Sequence, residues 1–254
     1  MTTRIDFNSD IGESFGAYTL GSDTEVIRHI TSANIACGFH AGDPVWMRRT
    51  VELAEQHGVA IGAHPGFPDL RGFGRRNMQV TPEEARDDIT YQIGALAAFT
   101  TAKRLQHVKP HGAIYNMAVQ NDDLAKGICD GVLQADPELV ITVLAGSRWV
   151  GIARAMGLRV ARETFVDRSF NADGTLVSRG KTGAVIHEPT AVIERAIRIA
   201  TERTVVAATG EVIPIEADTM CLHGDNPEAA TLAAALRRAF EAAGIALVPL
   251  GALV

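Results

Sequence analysis

Two hydrophobic periods alternate along this chain, and that alternation limits its fold more than any other feature. Short β-rich runs, each closing on Gly, Asp, His or Pro, are followed by longer stretches of helical pattern. The runs predict strands near 4–10, 32–40, 60–65, 107–112, 140–146, 159–165, 219–224 and 246–250. Helices are predicted near 24–30, 44–57, 81–103, 121–135, 148–156, 189–203 and 226–243. Asp43-Pro44, Thr81-Pro82-Glu83-Glu84 and Asn226-Pro227-Glu228 each set a capping side chain before a first-turn proline. Gly58, Gly157 and Gly244 follow helical runs, where a left-handed cap is expected. Serial β-then-α units imply a parallel sheet with right-handed crossovers. Seven or eight of them favour a closed or nearly closed barrel over an open doubly wound sheet, so the fold class is α/β, a (β/α) barrel-like fold. Residues 204–216 interrupt the pattern and read as a β-hairpin turning at Thr209-Gly210. No linker or low-complexity tract divides the chain, which predicts a single barrel-like catalytic domain over residues 1–254.

Composition narrows the function. With 254 residues, the chain is long enough to bury a core without a disulfide or a metal staple. A net charge of −6, with no Lys/Arg-rich run, argues against nucleic acid and anionic membranes as partners. The three cysteines, Cys37, Cys129 and Cys221, have no CxxC spacing, which argues against a disulfide framework or a structural zinc site. No apolar run approaches the ~18 residues of a membrane span, and the first residues have no apolar signal core. A reducing, cytoplasmic setting and a small-molecule substrate are expected.

Strand alternation places the chemistry. Asp6, Asn8 and Asp10 share a face opposite Ile5 and Phe7; Asn34 and His40 lie opposite Ile35, Cys37 and Phe39. His64 opposes Ala63, Lys109 and His111 oppose Val108 and Pro110, and Cys221, His223 and Asp225 oppose Met220 and Leu222. The apolar faces suit outer helices, so the polar faces point into the barrel and gather at the carboxyl ends of the strands, where barrel enzymes build active sites. One inward histidine is more often a satisfied core residue than a catalyst, but five strands ending in ionisable or amide groups on one face make a ring. His29, His57, His107 and His187 fall on helices, loops or strand starts and read as surface or capping residues.

Three motifs carry less than they suggest. Gly12-Glu13-Ser14-Phe15-Gly16 fits GxSxG, yet loop-like residues follow where a nucleophile elbow needs a helix. Gly174 to Thr182 ends in Gly-Lys-Thr, but the glycine spacing is one too long for a P-loop and no helical pattern starts at the lysine. Cys37 and Cys221 read as small packing residues. A divalent metal stays open, because Asp10, His64 and His111 could converge on one ion from three strands; the same groups could serve as acid and base around a water.

Five ordered motifs carry a resemblance that spans nearly the whole chain. Asp6-Phe-Asn-Ser-Asp-Ile-Gly-Glu13, Ser32-Ala-Asn-Ile-Ala-Cys-Gly-Phe-His-Ala-Gly-Asp43, Gly62-Ala-His-Pro-Gly-Phe-Pro-Asp69, Val108-Lys-Pro-His-Gly-Ala-Ile-Tyr-Asn116 and Cys221-Leu-His-Gly-Asp225 resemble the LamB/YcsF family. The segment Glu163 to Phe170 departs mildly, with Phe where Tyr is expected. The resemblance implies a seven-stranded (β/α) barrel-like fold and the ATP-dependent hydrolytic opening of 5-oxo-L-proline to L-glutamate. It also implies assembly with two further 5-oxoprolinase subunits, B and C, and a homo-oligomer is left open. On this reading Asp10, His40, His64, Lys109 and His111 are expected to be catalytic, and Asn8, Asn34, Asp43, Asn116, His223 and Asp225 to contact substrate. Asp10 or a neighbouring histidine would deprotonate water, Lys109 would stabilise the oxyanion or a phosphorylated lactam, and one of His40, His64 and His111 would protonate the leaving nitrogen. Arg75, Arg76, Arg168 and Arg179 are loop residues able to bind a carboxylate. No nucleotide loop is recognisable, so the ATP site is either unorthodox or supplied by a partner. Two rival classes remain: a metal-dependent carbohydrate deacetylase or amidohydrolase, and a non-catalytic binding subunit.

Overall fold

The computed structural model describes residues 2–223 and 229–254. Seven parallel strands close into a barrel: β1 (Arg4–Ile11), β2 (Ser32–Ala36), β3 (Ala60–His64), β4 (His107–Val108), β5 (Val140–Leu144), β6 (Arg159–Phe165) and β9 (Thr219–His223). Each pairs with the next, and β9 returns to β1 in a register from Asp6↔Thr219 to Asp10↔His223. Helices α1 (Asp23–Val26), α2 (Pro44–His57), α3 (Pro82–Ala97), α4 (Gly112–Ala118), α5 (Asp122–Ala135), α6 (Arg148–Ala155), α7 (Pro189–Glu202) and α8 (Ala229–Ala242) accompany it. The hairpin expected at 204–216 is present as antiparallel β7 (Thr204–Val206) and β8 (Val212–Pro214). Among the described residues no helix is long and apolar enough to cross a membrane.

The boundaries follow local chemistry. Thr81 and Glu84 form a reciprocal capping box around Pro82 at the start of α3, and Asp43 caps α2 ahead of Pro44. The run predicted as strand from 107 to 112 stops at Val108 and passes into α4, which the periodicity did not reveal. Pro110 has no N–H for a ladder, and Gly112 adopts φ +60° at the turn into that helix. The strand predicted near 32–40 ends at Ala36, where Gly38 N donates to Ala41 O at 2.9 Å in a tight turn. The predicted eighth strand is not a barrel stave: β10 (Ala246–Leu247) pairs with Arg4 and Ile5 at the foot of β1.

Two kinds of core result. Outside the staves, apolar side chains pack against helices, as where Phe7 meets Phe240 edge-on with ring centroids 5.9 Å apart. Inside, the barrel is largely polar and built in layers. The floor is apolar, where Leu250 from the C-terminal 3-10 turn (Leu250–Ala252) packs on Val140 and Ala161. Above it Asp6 accepts hydrogen bonds from Thr31 (2.7 Å), Ser32 (2.6 Å) and Thr219 (2.5 Å). Higher still, Asn8 donates to Thr219 at 2.6 Å, and Asn34 donates to Asn8 at 2.7 Å and to Asp10 at 2.9 Å.

Burial pushes the Asp6 carboxyl up to about 6, despite its three hydroxyl donors, and the nearby Glu163 carboxyl adds to the rise. A carboxyl whose folded pKa is raised stabilises the fold below its unfolded value of 3.8 and loses that contribution as pH rises through about 6. Asp6→Asn removes this titration. The expected outcome, read from denaturant unfolding at pH 4 and pH 7, is that about 2 kcal/mol of the wild-type decline over that interval disappears. An unchanged pH dependence would show that Asp6 is ionised in its pocket.

Candidate active site

The mouth of the barrel is organised around one ammonium. Lys109, just beyond β4 and buried, donates to Asp10 Oδ1 at 2.8 Å, Glu163 Oε1 at 2.9 Å and Cys221 Sγ at 2.9 Å. Those acceptors stand on β1, β6 and β9, so the lysine spans the barrel axis and uses all three of its protons. Burial works against the charge on Lys109, yet the Asp10 carboxylate, with Glu163 beside it, holds it well above the usual lysine range. Burial also opposes ionisation of Asp10, but His64 and Lys109 hold its carboxyl well below the usual range. Burial raises Glu163 in spite of Lys109, and burial drives the Cys221 thiol well above its ordinary value, so Cys221 is a neutral acceptor.

A histidine cluster adjoins this pair. His64 Nε2 lies 3.4 Å from Asp10 Oδ2 and 2.9 Å from His111 Nδ1, while His64 Nδ1 reaches the Lys109 carbonyl at 2.7 Å. His111 Nε2 donates to the Phe73 carbonyl at 2.8 Å, and His40 stacks on His111 with ring centroids 3.7 Å apart. His40 Nε2 stands 3.4 Å from Glu13 Oε1. Opposite, His223 Nδ1 lies 2.8 Å from Asp167 Oδ2, and its ring stacks on Phe165. Burial would raise Asp167, but His223, Arg179 and Arg168 outweigh it and lower the carboxyl.

These groups face a cavity of about 470 Å³, a volume typical of small-molecule sites. Asp10, His64, Lys109, His111, Tyr115, Asn116, Phe165 and His223 line it, and Arg75, Arg168 and Arg179 bring three guanidinium groups to its wall. Burial and the neighbouring Arg179 pull Arg168 down to about 10. An anion seated among these arginines would relieve their repulsion.

The expected ring is therefore brought together in large part. Asp10, Lys109, His64, His111, Asn116 and His223 reach the cavity, and His40 is buried against His64 and His111. Asn8 and Asn34 sit lower, inside the hydrogen-bonded barrel interior, rather than on the cavity wall. Asp43 is placed elsewhere, for a local reason: it accepts from Val45 N, Trp46 N and Gly16 N as the cap of α2. Asp225 lies outside the described residues. Arg76 is paired with Asp69 and does not line the cavity, unlike Arg75, Arg168 and Arg179. The run Gly174–Thr182 starts no helix, but Ser178, Arg179 and Gly180 form part of the cavity wall.

Sequence reading missed four participants. His107, read as a surface or capping residue, is fully buried with Nε2 2.9 Å from Asn34 Oδ1, and burial, then Lys109, lowers it to about 3. Its parity with Lys109 and His111 was the available signal. Glu163, two residues before the inward Phe165, carried the same signal. Glu13 and Asp167 lie beyond strand ends, where period-2 reasoning does not reach. Two groups among the described residues have donor atoms close enough to hold a metal ion: Glu13, His40, His64 and His111, and Asp10, Cys221 and His223.

A parallel seven-stranded barrel with a charged, ligand-sized pocket at the carboxyl ends of its strands is the architecture of a barrel enzyme. The description "LamB/YcsF family" matches residues 5–254, and the chain belongs to that family. Similar proteins include the A subunit of 5-oxoprolinase from Thermococcus onnurineus, 55% identical over 253 residues and covering 99% of each chain. The protein of the same name from Pyrococcus furiosus is 55% identical over 250 residues, covering 98% of each. Among solved structures, the lactam utilization protein from Thermus thermophilus is 45% identical, with a TM-score of 0.91 over 96% of this chain and 99% of that one.

Removing one partner from a buried ion pair leaves the other charge uncompensated, at a cost of about 3–5 kcal/mol. Lys109→Met should lower stability by about that much, because it leaves Asp10 buried without its ammonium. The double variant Lys109→Met, Asp10→Asn should lose clearly less than the sum of the two single variants in denaturant unfolding. Additive losses would show that the pair is not coupled.

Proposed function

We propose that this chain performs the A-subunit part of a 5-oxoprolinase: the ATP-dependent hydrolytic opening of 5-oxo-L-proline to L-glutamate, with partner subunits B and C, in the cytoplasm. Residues 1–254 act as one catalytic domain. The observation that carries the reading is the cavity itself, which sets a fixed cation, Lys109, below a wall of three arginines. The names of its similar proteins support the same substrate class.

5-Oxo-L-proline carries two features such a pocket can recognise, a carboxylate and a lactam carbonyl. The carboxylate fits the guanidinium groups of Arg75, Arg168 and Arg179. The lactam oxygen, directed toward Lys109, would develop its negative charge beside an ammonium that the protein keeps protonated. Asp10 is then better suited to fixing that charge than to acting as a base, because its own carboxyl is held low.

His223 is the better base. Asp167 accepts a hydrogen bond from Nδ1 at 2.8 Å, which leaves Nε2 to present a lone pair at the cavity when the ring is neutral. Water deprotonated there would add to the lactam carbon, and His64 across the mouth, its Nε2 3.4 Å from Asp10 Oδ2, would supply the proton that the leaving ring nitrogen needs. An unactivated lactam is a poor electrophile, so ATP is required, and the partners supply its site.

The test is glutamate release from 5-oxo-L-proline and ATP with the reconstituted A, B and C subunits. The complex should turn over and the isolated chain should not; a complex that releases no glutamate would overturn the function, and robust turnover by the chain alone would overturn the division of labour. Within the active complex, His223→Gln, whose side-chain amide can still donate to Asp167, should lower kcat by about 10²–10⁴-fold while circular dichroism shows the chain folded. Near-normal kcat in that variant would move the base elsewhere.

A further inference from the structure

His64 and His111 meet at the barrel mouth in a way that fixes where their protons are. His64 ends β3, and His111 follows β4 as the N-cap residue of α4, with a side chain that makes no capping bond. Their rings stand 88° apart, with His64 Nε2 2.9 Å from His111 Nδ1. The outer nitrogens both face backbone carbonyls, His64 Nδ1 that of Lys109 at 2.7 Å and His111 Nε2 that of Phe73 at 2.8 Å. A carbonyl oxygen only accepts, so both outer nitrogens carry protons. The inner contact needs a third proton, because two neutral rings would there oppose lone pair to lone pair.

A metal ion does not take the place of that proton. His40 and His111 stack face to face, planes 2° apart and centroids 3.7 Å apart, so their in-plane lone pairs cannot meet on one ion. In the second donor group, the Lys109 ammonium already contacts Asp10 and Cys221 and would repel a cation.

The surroundings decide which ring owns the third proton. Burial, then His40 and His64 beside it, hold the His111 imidazole well below its ordinary value, so His111 is the neutral acceptor. Burial and His64 likewise hold His40 low, and burial, then Lys109, lowers His107 to about 3, so neither adds a charge. His64 Nε2 lies 3.4 Å from Oδ2 of the ionised Asp10, whereas His111 Nδ1 has its nearest carboxylate, Glu13 Oε1, at 3.8 Å. Of the cations nearby, Lys109 is taken up by Asp10 and Glu163, and Arg75 lies over the Phe73 ring.

We infer that His111 is the positioning residue that keeps the acid proton on His64 Nε2, its own ring locked by the Phe73 carbonyl into the tautomer that accepts there. The lock is built from backbone. Phe73 adopts φ 55°, an unfavourable conformation for a residue with a Cβ, and this turns its carbonyl to His111. The Gly74 carbonyl accepts from Ala113 N at 2.9 Å, and a Cβ on Gly112, at φ +60°, would lie 2.7 Å from that oxygen. The turn and the start of α4 are thereby joined on either side of the His111 ring. Asp69, paired with Arg76, holds the turn from behind: its side chain accepts from Gly72 N and its carbonyl from Gly74 N, each at 2.9 Å.

The inference rests on the lactam reading for its chemistry. As the C–N bond breaks, its electron pair takes the Nε2 proton, and His64 is left neutral with its remaining proton on Nδ1. The proton that water gives to His223 balances the one that His64 loses.

Proton placement is read without turnover, so it can fail independently of that reading. The full-length chain with isotope-labelled histidine is studied by nitrogen-detected NMR at about pH 6. A nitrogen–nitrogen coupling across the hydrogen bond should join His64 Nε2 to His111 Nδ1. Protons are expected on both nitrogens of His64 and on Nε2 alone of His111. Absence of the coupling, or a proton resident on His111 Nδ1, would overturn the inference. In the reconstituted complex, His111→Leu should lower kcat by about 100-fold, the scale of a misplaced catalytic group. His111→Gln, which restores an acceptor, should recover most of that loss, with circular dichroism showing both variants folded. Equal losses in the two folded variants would also overturn it, and if neither folds the coupling in the wild-type chain decides. A coupling seen in a chain whose complex releases no glutamate would sink the lactam reading and leave the proton placement standing.

Discussion

The Lys109 ammonium is the constraint on which the upper half of the barrel depends. A lysine buried this deeply is tolerated only where anions meet it, and the acceptors come from staves across the axis from β4, Asp10 on β1 and Glu163 on β6, either side of β9. Each contact therefore depends on the barrel being closed, and the closed barrel in turn holds the ammonium where a ligand can meet it. The layers beneath serve the same arrangement. Asn34 donates to Asp10 while its carbonyl oxygen lies within reach of His107, and Asn8 links Thr219 with Asn34. A charge change at the mouth is thus connected by hydrogen bonds to residues well down the axis.

The two sides of the mouth have different chemistry. On the β1 to β4 side, histidines and Glu13 crowd around one point, supported by backbone carbonyls and the Phe73–Gly74 turn. On the β6 to β9 side, the Asp167–His223 pair faces the cavity beside Arg168 and Arg179. Lys109 stands between them. Such an arrangement can hold an anionic ligand on one wall while groups on both sides exchange protons with it, which suits the opening of a ring whose nitrogen and carbon need attention from different directions.

Much of this was legible in the sequence because strands have a strict period of two. Asp6, Asn8 and Asp10 share one face of β1, and the same parity carried Lys109 and His111 into the mouth although β4 itself ends at Val108. The helices followed from caps and periodicity, apart from α4, which hides behind Pro110 and Gly112. His107 was misread because a residue at the start of a strand looks peripheral, whereas in a tilted barrel it lies deep in the interior. Glu13, Asp167 and the Phe73 turn could not be read, because loop residues have no period and meet their partners only through the tertiary fold. Asp43 looked like a ligand contact, but its strongest local option, capping α2, prevailed.

The most direct test of the account is the position of 5-oxo-L-proline in crystals of the chain soaked or grown with it. The account places the ligand in the cavity at the carboxyl ends of the strands, its carboxylate against Arg75, Arg168 or Arg179 and its lactam oxygen directed toward Lys109. Ligand density elsewhere on the molecule, or in the cavity with the carboxylate turned toward Asp10 and away from the arginines, would contradict it.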